Sequence, residues 1–277
     1  MSRQNNTQKT LGNSAALVVT TLHDQRRPVF RLADAREITG LSAHSTATLL
    51  DAMSRRGVVT RLAHGLYGLV PYELGSEREY FGDPLLVGRE LMADGEYYFS
   101  HATAMEYHHM LTQPQLAVTI STSQPRRPLV IGGTEFRFVR CDAKHLWGYG
   151  PVWVSKQERV NMSDLERTVL DGLRLPLYAG GVTEVAKGLW LRRADIDPDR
   201  LAGYALRLGV GAVTRRLGLL LETYEIADEA TLDRLRETLT STYQRLDPLL
   251  PAEGRRLRRW RLQLNVEPDE LRQVVAV

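Results

Sequence analysis

The first 70 residues carry three successive apolar patterns of helical period. The first runs from Thr10 and places one set of apolar residues on a single helical face: Leu11, Ala15, Val18 and Leu22. The second ends at Gly40 and has the apolar set Leu32, Ala35 and Ile38. After a tight junction at Leu41, Ser42 is suited to accept hydrogen bonds from first-turn amides as the N-cap of a third helix. The expected core face of that third helix is Ala43, Ala47, Leu50 and Met53.

Short extended runs accompany these helices. Val29 and Phe30 are β-prone and lie between the first two helices. After the third helix, residues 58–62 and 66–70 predict two strands, joined through residues 63–65 as a β-hairpin. Helix, short strand, helix, turn, helix and hairpin is the order of a winged helix-turn-helix, whose recognition helix enters the major groove of DNA.

The outward face of the third helix supplies candidates for contact with DNA bases. These candidates lie opposite the apolar face or at the helix start: Ser42, His44, Ser45, Thr48 and Arg55. Residues at the start of such a helix usually reach base edges, and Thr48 could meet a thymine methyl group or a base acceptor. The competing interpretation is a solvated helix face. Asp51 lies on the same face, where it is unfavourable beside phosphates unless it pairs with Arg55 one turn later.

A second set of residues borders the end of the third helix and the hairpin, and we assign it to DNA phosphates: Arg56, Arg61 and His64, with Arg26 and Arg27 before the first strand. Each true phosphate contact releases counterions and adds about 0.9 to the slope of log affinity against log salt. The alternative is that these are ordinary surface residues without a partner molecule.

Residues 76–277 predict a larger mixed domain. In residues 76–181, a cap at Asp83-Pro84, a helix over 100–110 and extended runs at 97–99, 117–122 and 135–139 indicate helices beside a small, mainly antiparallel sheet. Ser163 to Glu166 reads as a capping box that opens another helix. Residues 182–277 are predicted to be mainly helical, with a late strand over 260–266 whose wet face holds arginines. The fold class is therefore α+β, with a winged helix-turn-helix in residues 1–75.

Composition and charge narrow the function classes. Apolar residues make up 43% and charged residues 25% of the 277 residues, which excludes a mainly disordered or fibrous chain. Residues 1–70 hold nine Lys and Arg against four Asp and Glu, whereas the remainder holds 27 against 29. A basic N-terminal module is the electrostatic footprint of a polyanion partner. The single cysteine, the polar start of the chain and the lack of a long apolar run predict a cytoplasmic protein without a membrane partner.

Residue patterns for catalysis or metal binding are weak. His101, His108 and His109 could share a helix face, but they lack a metalloprotease signature and are better explained as structural histidines. A capping box and a helix surface are sufficient to explain the carboxylates Asp164, Glu166 and Asp171. No phosphate-binding, hydrolase or dinucleotide motif is present. We therefore expect no catalytic residues, no metal and no cofactor, and a protein that is not an enzyme.

Four stretches of the sequence carry a resemblance to a known family: residues 32–42, 56–67, 99–104, and 164–168 with 179–182. In this order they resemble the AbiEi-like antitoxins of abortive-infection, type IV toxin-antitoxin systems, and the likeness extends over residues 10–266. Two positions depart from the family. Arg31 stands where relatives commonly have a Ser or Thr cap, and His64 stands where many carry an arginine at the wing tip. Because histidine is only partly charged near neutral pH, the second departure weakens the expected phosphate contact of the wing.

The resemblance implies a specific role. The family joins a winged helix-turn-helix to a C-terminal antitoxin domain, represses its own operon at inverted repeats, and counteracts a nucleotidyltransferase toxin encoded beside it. The expected partners are double-stranded promoter DNA and that toxin, opposed functionally with or without direct contact. Two other function classes stay open from the residues alone: a regulator that responds to a small ligand and has no toxin partner, and a DNA-processing enzyme that uses the winged module for targeting.

Overall fold

A computed structural model of the protein describes residues 11–75, 77–93 and 95–275. It is a mixed structure of helices and several sheets, which confirms the predicted mixture of α and β elements. The described residues divide into two compact units. The first contains the chain up to Gly95 with Pro128–Phe136 and Trp153–Val160, and the second contains Glu96–Arg127, Arg137–Val152 and the chain from Asn161 onward. The domain limits predicted from the sequence, at residues 75 and 181, stay predictions.

The first unit begins with three helices and a three-stranded sheet. Its elements are α1 Asn13–Asp24, β1 Val29–Arg31, α2 Leu32–Thr39, α3 Ala43–Arg55, β2 Val59–Ala63 and β3 Leu66–Leu69. The strands are antiparallel in the order β1-β3-β2, so that Tyr67 lies opposite both Phe30 and Arg61. The three predicted helices and the hairpin are confirmed, whereas the predicted start at Thr10 lies outside the described residues. Gly40 ends α2 in the left-handed conformation that glycine tolerates best, with φ of 66°.

The core of this part of the unit lies between the helices and the sheet. Its buried residues are Ala15, Val18, Leu22, Phe30, Ala35, Leu50, Met53, Val58, Val59, Tyr67 and Leu69. The predicted inward face of α3 was wrong at its first turn, because Ala43 is exposed and Thr46 is fully buried instead. Thr46 tolerates burial because its hydroxyl donates to the Ser42 carbonyl at 2.9 Å, which leaves its methyl group to pack inward.

Further elements of the first unit follow the hairpin. Helix α4 spans Pro84–Leu91, and the Asp83 carboxylate caps it by accepting from the Leu85 amide at 2.7 Å, as the sequence predicts. Strand β6, Leu129–Ile131, forms a hairpin with the start of β7, Thr134–Arg140, through the glycine pair at 132–133.

The second unit is built on a set of hydrogen-bonded strands. They are β4 Tyr97–Phe99, β5 Ala117–Thr122, the later residues of β7, and parts of β8 Tyr149–Trp153 and β9 Arg159–Ser163. Their order is β7-β5-β4-β9-β8. Strand β4 pairs antiparallel with β5 and parallel with β9, where Phe99 lies opposite Met162. Helix α5 spans His101–Tyr107 and is shorter than the predicted 100–110.

Helix α6, Leu165–Arg174, begins differently from the sequence prediction. The predicted capping box at Ser163 and Glu166 was wrong by one residue, because β9 continues through Ser163. Asp164 is the N-cap, and its carboxylate accepts from the Arg167 amide at 2.8 Å. The Ser163 hydroxyl instead shares a hydrogen bond of 2.8 Å with Thr168.

The predicted surface position of two carboxylates in α6 was also wrong. Glu166 is 4% exposed and Asp171 is 2% exposed. Residues 165–174 of α6 pack against helices on more than one side, so the helix has almost no solvated face. Asp171 is therefore part of the interior of the second unit rather than of its surface.

Helices dominate the later chain, as predicted. They are α7 Val182–Leu191, α8 Pro198–Leu208, α9 Gly211–Thr223, α10 Glu229–Arg236 and α11 Pro268–Val274. Asp197 caps α8, Gly209 ends it, and Asp228 caps α10. The single late strand was wrong: β10 Gln244–Arg245, β11 Arg255–Leu257 and β12 Leu262–Leu264 form a small sheet instead.

The turn before β12 explains that error. Arg261 has φ of 51°, which interrupts extended backbone, so the buried Trp260 belongs to a turn rather than to the strand. The arginines expected on a wet strand face are paired with carboxylates: Arg255 with Glu267 at 2.9 Å, and Arg259 with Glu229 at 2.8 Å.

Trp260 packs on a glycine of α9, and this contact gives a stability prediction. A Cβ atom at Gly218 would lie 2.0 Å from Trp260 Cζ3, so Gly218→Ala forces the indole to move. We expect Gly218→Ala to lower the free energy of unfolding by about 1–3 kcal/mol, the usual cost of overpacking. Gly203→Ala in α8 is the matched control, because no atom lies within 4 Å of its Cβ, and it should raise helix stability by about 1 kcal/mol. Urea unfolding followed by tryptophan fluorescence measures both, and equal effects would contradict the packing account.

Candidate nucleic-acid interface

The start of α3 is held by two serines. Ser42 is extended, and its hydroxyl accepts from the Ser45 amide at 3.1 Å while donating to the Ser45 hydroxyl at 2.9 Å. This confirms the predicted N-cap. Both side chains are exposed, so the Ser45 hydroxyl group can still donate a hydrogen bond to an acceptor outside the protein. The helix therefore begins with an ordered pair of hydroxyl groups at its positive end.

The following turns of α3 present a polar ridge, defined here as the side chains of His44, Ser45, Thr48, Asp51 and Arg55. All five residues are exposed. The Thr48 hydroxyl donates to the His44 carbonyl at 3.1 Å, so the methyl group of Thr48 is the part that is left for an outside contact. The predicted side-chain pairing of Arg55 with Asp51 is replaced by a bond from Arg55 Nε to the Asp51 carbonyl at 3.4 Å.

The cations assigned to phosphates lie at the end of α3 and on the hairpin. Arg56 is the C-cap of α3, Arg61 is in β2, and His64 is in the turn between β2 and β3, and all three are exposed. Burial raises the pKa of the Tyr67 hydroxyl, Arg61 lowers it and Asp51 raises it, so charges from the hairpin and from α3 act on the same phenol. Arg61 and the ridge therefore belong to one local electrostatic environment in the first unit.

The two arginines before β1 differ in their surroundings. Arg26 lies in the loop after α1, where it is exposed and has φ of 55°. Arg27 is bound to the Asp34 carboxylate through two hydrogen bonds of 3.2 and 3.3 Å. Asp34 also accepts from the Arg31 amide at 2.6 Å, so it caps α2 from within the helix where a Ser or Thr cap is missing. The Arg31 departure from the family pattern thus leaves the cap function in place.

One neighbour of the ridge was missed from the sequence. Gly57 has φ of 68°, and a Cβ atom there would lie 2.9 Å from Arg78 Cα. The chain after the hairpin therefore passes close to the end of α3, where the exposed Arg78 lies beside Gly57. Residues 71–79 carry no hydrophobic period, so the sequence predicts only a linker there, and the glycine was the single available signal of close contact.

The three histidines considered for a metal site lie in the second unit, where two of them have structural partners. His101 is buried, with Nδ1 at 2.8 Å from the Ser100 hydroxyl, and His108 Nε2 is 2.7 Å from the Ser163 carbonyl. Within residues 11–75, 77–93 and 95–275, no three His, Cys, Asp or Glu side chains are placed to hold a metal ion. In the same ranges, every helix is too short or too polar to cross a membrane.

The part of the chain that contains the polar ridge matches a known protein family. Residues 18–70, which contain α2, α3 and the hairpin, match the sequence model of the family described as "Transcriptional regulator, AbiEi antitoxin". The resemblance to the AbiEi family is confirmed over this segment. The match is consistent with a winged helix-turn-helix in the first unit, and the family description names regulation and an antitoxin role rather than a class of enzyme.

Structure comparison extends over the remainder of the chain. The chain is similar to a solved structure, the RV2827C protein from Mycobacterium tuberculosis, with a TM-score of 0.68 and 16% sequence identity. The similarity covers 97% of this chain and 96% of that chain. At this identity the likeness concerns the fold alone. No curated protein matches the chain.

Proposed function

We propose that the protein is an antitoxin and a transcriptional autorepressor of a toxin-antitoxin operon. The first unit acts as a winged helix-turn-helix and binds promoter DNA, with α3 in the major groove and the β2–β3 hairpin as the wing. The single observation that carries this proposal is the polar ridge of α3, whose residues are all exposed and lie inside the segment that matches a regulator family.

The chemistry of the ridge supports sequence reading rather than charge alone. His44, Ser45 and Thr48 are short side chains at the start of the helix, where they offer hydroxyl, imidazole and methyl groups to base edges. Leu50 and Met53 are buried beneath them, so the ridge is held rigidly against the core. Arg55, Arg56 and Arg61 flank the ridge and supply positive charge for phosphates, which position a protein without reading sequence.

We also propose that the protein binds inverted repeats, as the resemblance to AbiEi-like antitoxins implies. One copy of α3 reads one half-site, so two copies on a palindromic operator place both recognition helices on the same face of the duplex when the half-sites are whole helical turns apart. The second unit then carries the antitoxin role against a nucleotidyltransferase toxin, by direct binding or by opposing the action of the toxin. We place the protein in the cytoplasm with its operon.

Binding of the purified protein to its own upstream DNA tests the proposal. Fluorescence anisotropy should show that the protein prefers the promoter fragment over random DNA of equal length by at least 10³-fold at moderate salt, the lower range for specific binding. Equal affinity for both duplexes would contradict DNA recognition. Growth rescue of cells that express the adjacent nucleotidyltransferase gene tests the antitoxin role independently, and absence of such a gene would favour the ligand-responsive regulator.

Arg61 gives a prediction specific to phosphate contact. Arg61→Ala should weaken binding to promoter and random DNA by the same factor, and it should reduce the magnitude of the salt slope by about 0.9, because one fewer counterion is released. Anisotropy titrations over a series of salt concentrations measure this slope. The matched control is Arg207→Ala, an exposed arginine in the second unit, which should leave the slope unchanged. A loss confined to the promoter fragment would instead assign Arg61 to base reading.

A further inference from the structure

Two of the sequence stretches that resemble the antitoxin family come together in the second unit, and DNA binding uses neither of them. Strands β4 and β9 run parallel with Phe99 opposite Met162, so the residues after each strand are neighbours. These residues are Ser100-His101 and Asp164-Leu165, and each pair leads directly into a helix, α5 or α6. The Ser163 hydroxyl also donates to the Phe99 carbonyl at 3.3 Å, which ties the two strand ends together.

His101 is strained at this junction. Its φ of 52° lies in the left-handed region, and the residue is only 2% exposed. A residue keeps such a conformation only where its surroundings fix it, and positions of this kind cluster at ligand-binding sites. The strain here fixes the direction of the imidazole at the end of β4.

The hydrogen bonds of His101 define which ring nitrogen carries the proton. The Ser121 hydroxyl donates to the Ser100 hydroxyl at 2.8 Å, and the Ser100 hydroxyl is therefore free to donate to His101 Nδ1 at 2.8 Å. Burial lowers the pKa of His101 to about 4, so the ring is neutral near pH 7 and its proton is on Nε2. Within the described part of the chain, Nε2 is buried and has no hydrogen-bond partner.

Arg167 presents a second donor of the same kind. Its side chain is 0% exposed, with Nε at 2.9 Å from Asp171 Oδ1 and Nη2 at 2.9 Å from the Tyr98 hydroxyl. The guanidinium lies 4.5 Å from the centre of the Trp147 ring, which fixes its plane. Its remaining nitrogen, Nη1, is buried and meets no partner among the described residues. A buried donor left unsatisfied in this way is costly and requires an explanation.

A surplus of positive charge surrounds these two donors. Arg174 and His145 are half-buried, and His145 Nδ1 is a third buried polar atom without a partner in the described ranges. Arg174 and Arg167 both lower the pKa values of His101 and His145, so both guanidinium groups act on both imidazoles. Asp171 balances Arg167 through their ion pair, which leaves the charge of Arg174 uncompensated by any ion pair of the described chain.

We propose that this cluster binds a compact oxyanion of the phosphoryl class, with His101 Nε2 and Arg167 Nη1 donating to its oxygens and Arg174 supplying the balancing charge. Two unpaired N–H donors require an acceptor, and an acceptor with negative charge also uses the surplus cation. A cation or an apolar ligand would leave both donors unsatisfied. This site is independent of the proposed DNA interface.

Titration of the full-length protein with inorganic phosphate at constant ionic strength tests the inference. The imidazole signal of His101 Nε2 in ¹H–¹⁵N spectra should shift in a saturable way, and Arg174→Gln should weaken phosphate binding at least tenfold while the protein stays folded. Arg258→Gln, an exposed arginine of the same unit whose charge acts on neither imidazole, is the matched control and should bind phosphate as the wild type does. Arg61→Ala should also leave this shift unchanged, which separates it from phosphate bound at the DNA-binding face.

A second variant tests the inference independently in case Arg174→Gln does not fold. His101→Gln retains a donor but removes the imidazole, and it should reduce phosphate affinity as judged by isothermal titration calorimetry. A nucleoside triphosphate that competes with phosphate and binds more tightly identifies a nucleotide as the source of the phosphoryl group, whereas binding of phosphate alone identifies the free ion. No saturable shift of His101 in the wild type, or equal phosphate affinity in wild type and Arg174→Gln, would overturn the inference.

Discussion

Asp171→Asn is expected to lower the free energy of unfolding of the second unit by about 3–5 kcal/mol, the usual cost of breaking a buried ion pair from one side. Asp171 is 2% exposed and its carboxylate holds the fully buried Arg167 at 2.9 Å and accepts from the Tyr98 hydroxyl at 3.0 Å. Burial alone lowers the pKa of Arg167, and the Asp171 charge reverses this so that the pKa is raised. An amide at position 171 leaves the guanidinium charged, buried and unpaired.

A triple variant separates the loss of the ion pair from the loss of packing. Arg167→Met, Asp171→Leu and Tyr98→Phe together remove every charged or polar group of the triad, and we expect this variant to be more stable than Asp171→Asn alone. Urea unfolding followed by tryptophan fluorescence measures both, because Trp147, Trp190 and Trp260 all lie in the second unit. If the triple variant were less stable than the single one, the cost of Asp171→Asn would come from packing and not from an unpaired charge.

Leu50→Ala is expected to lower the stability of the first unit by about 2–5 kcal/mol and to reduce DNA affinity at the same time. Leu50 is 0% exposed and anchors α3 beneath the polar ridge. When its side chain is truncated, α3 loses the contact that fixes the direction of Thr48 and His44. Anisotropy with the promoter fragment, together with thermal unfolding, should therefore show both losses in one variant.

The matched control for this prediction is Leu17→Ala. Leu17 lies in α1 of the same unit and is 50% exposed, so its truncation should change stability by less than about 0.5 kcal/mol and leave DNA binding intact. Should Leu50→Ala lose stability but bind promoter DNA as tightly as Leu17→Ala does, α3 would not be the element that contacts DNA.

The sequence predicts the first unit well because its signals are local. Ser42, Gly40 and Asp83 act within one or two turns of the chain, and each has the role in helix capping or ending that its residue type indicates. Thr46 was the exception. A threonine in a polar helix is expected to be exposed, but Thr46 is buried because its hydroxyl donates to the Ser42 carbonyl.

The second unit was less predictable because its decisive contacts are distant along the chain. Tyr98 and Asp171 are separated by 73 residues, yet their side chains form one hydrogen bond. Local patterns assign Asp171 to a helix surface, and only the packing of α6 on all sides reveals that it is buried. In the same way, Arg216 donates to the carbonyls of Leu173 and Leu246, and burial lowers its pKa to about 10, although nothing in its neighbouring sequence signals an interior position.

The candidate DNA-binding site shows the same difference between local and distant signals. Nine of the ten residues assigned to DNA from the sequence are exposed in the first unit, because helix period and turn chemistry fix which way they point, whereas Arg27 is half-buried and pairs with Asp34. Their contact with DNA remains a prediction. Arg78 was missed because its contact with Gly57 depends on the path of the chain after the hairpin, which no local pattern encodes.

A specificity profile of Thr48→Asn tests most directly whether the polar ridge of α3 reads bases in the major groove. Wild type and variant are each titrated against every single base-pair substitution of the promoter half-site at one salt concentration. We predict that preference changes by about 1–3 kcal/mol at one or two base pairs, at the same position in both half-sites, while the ranking at other positions is kept. An identical ranking of all substitutions for both proteins would show that α3 does not read the sequence and would contradict the proposed mode of DNA recognition.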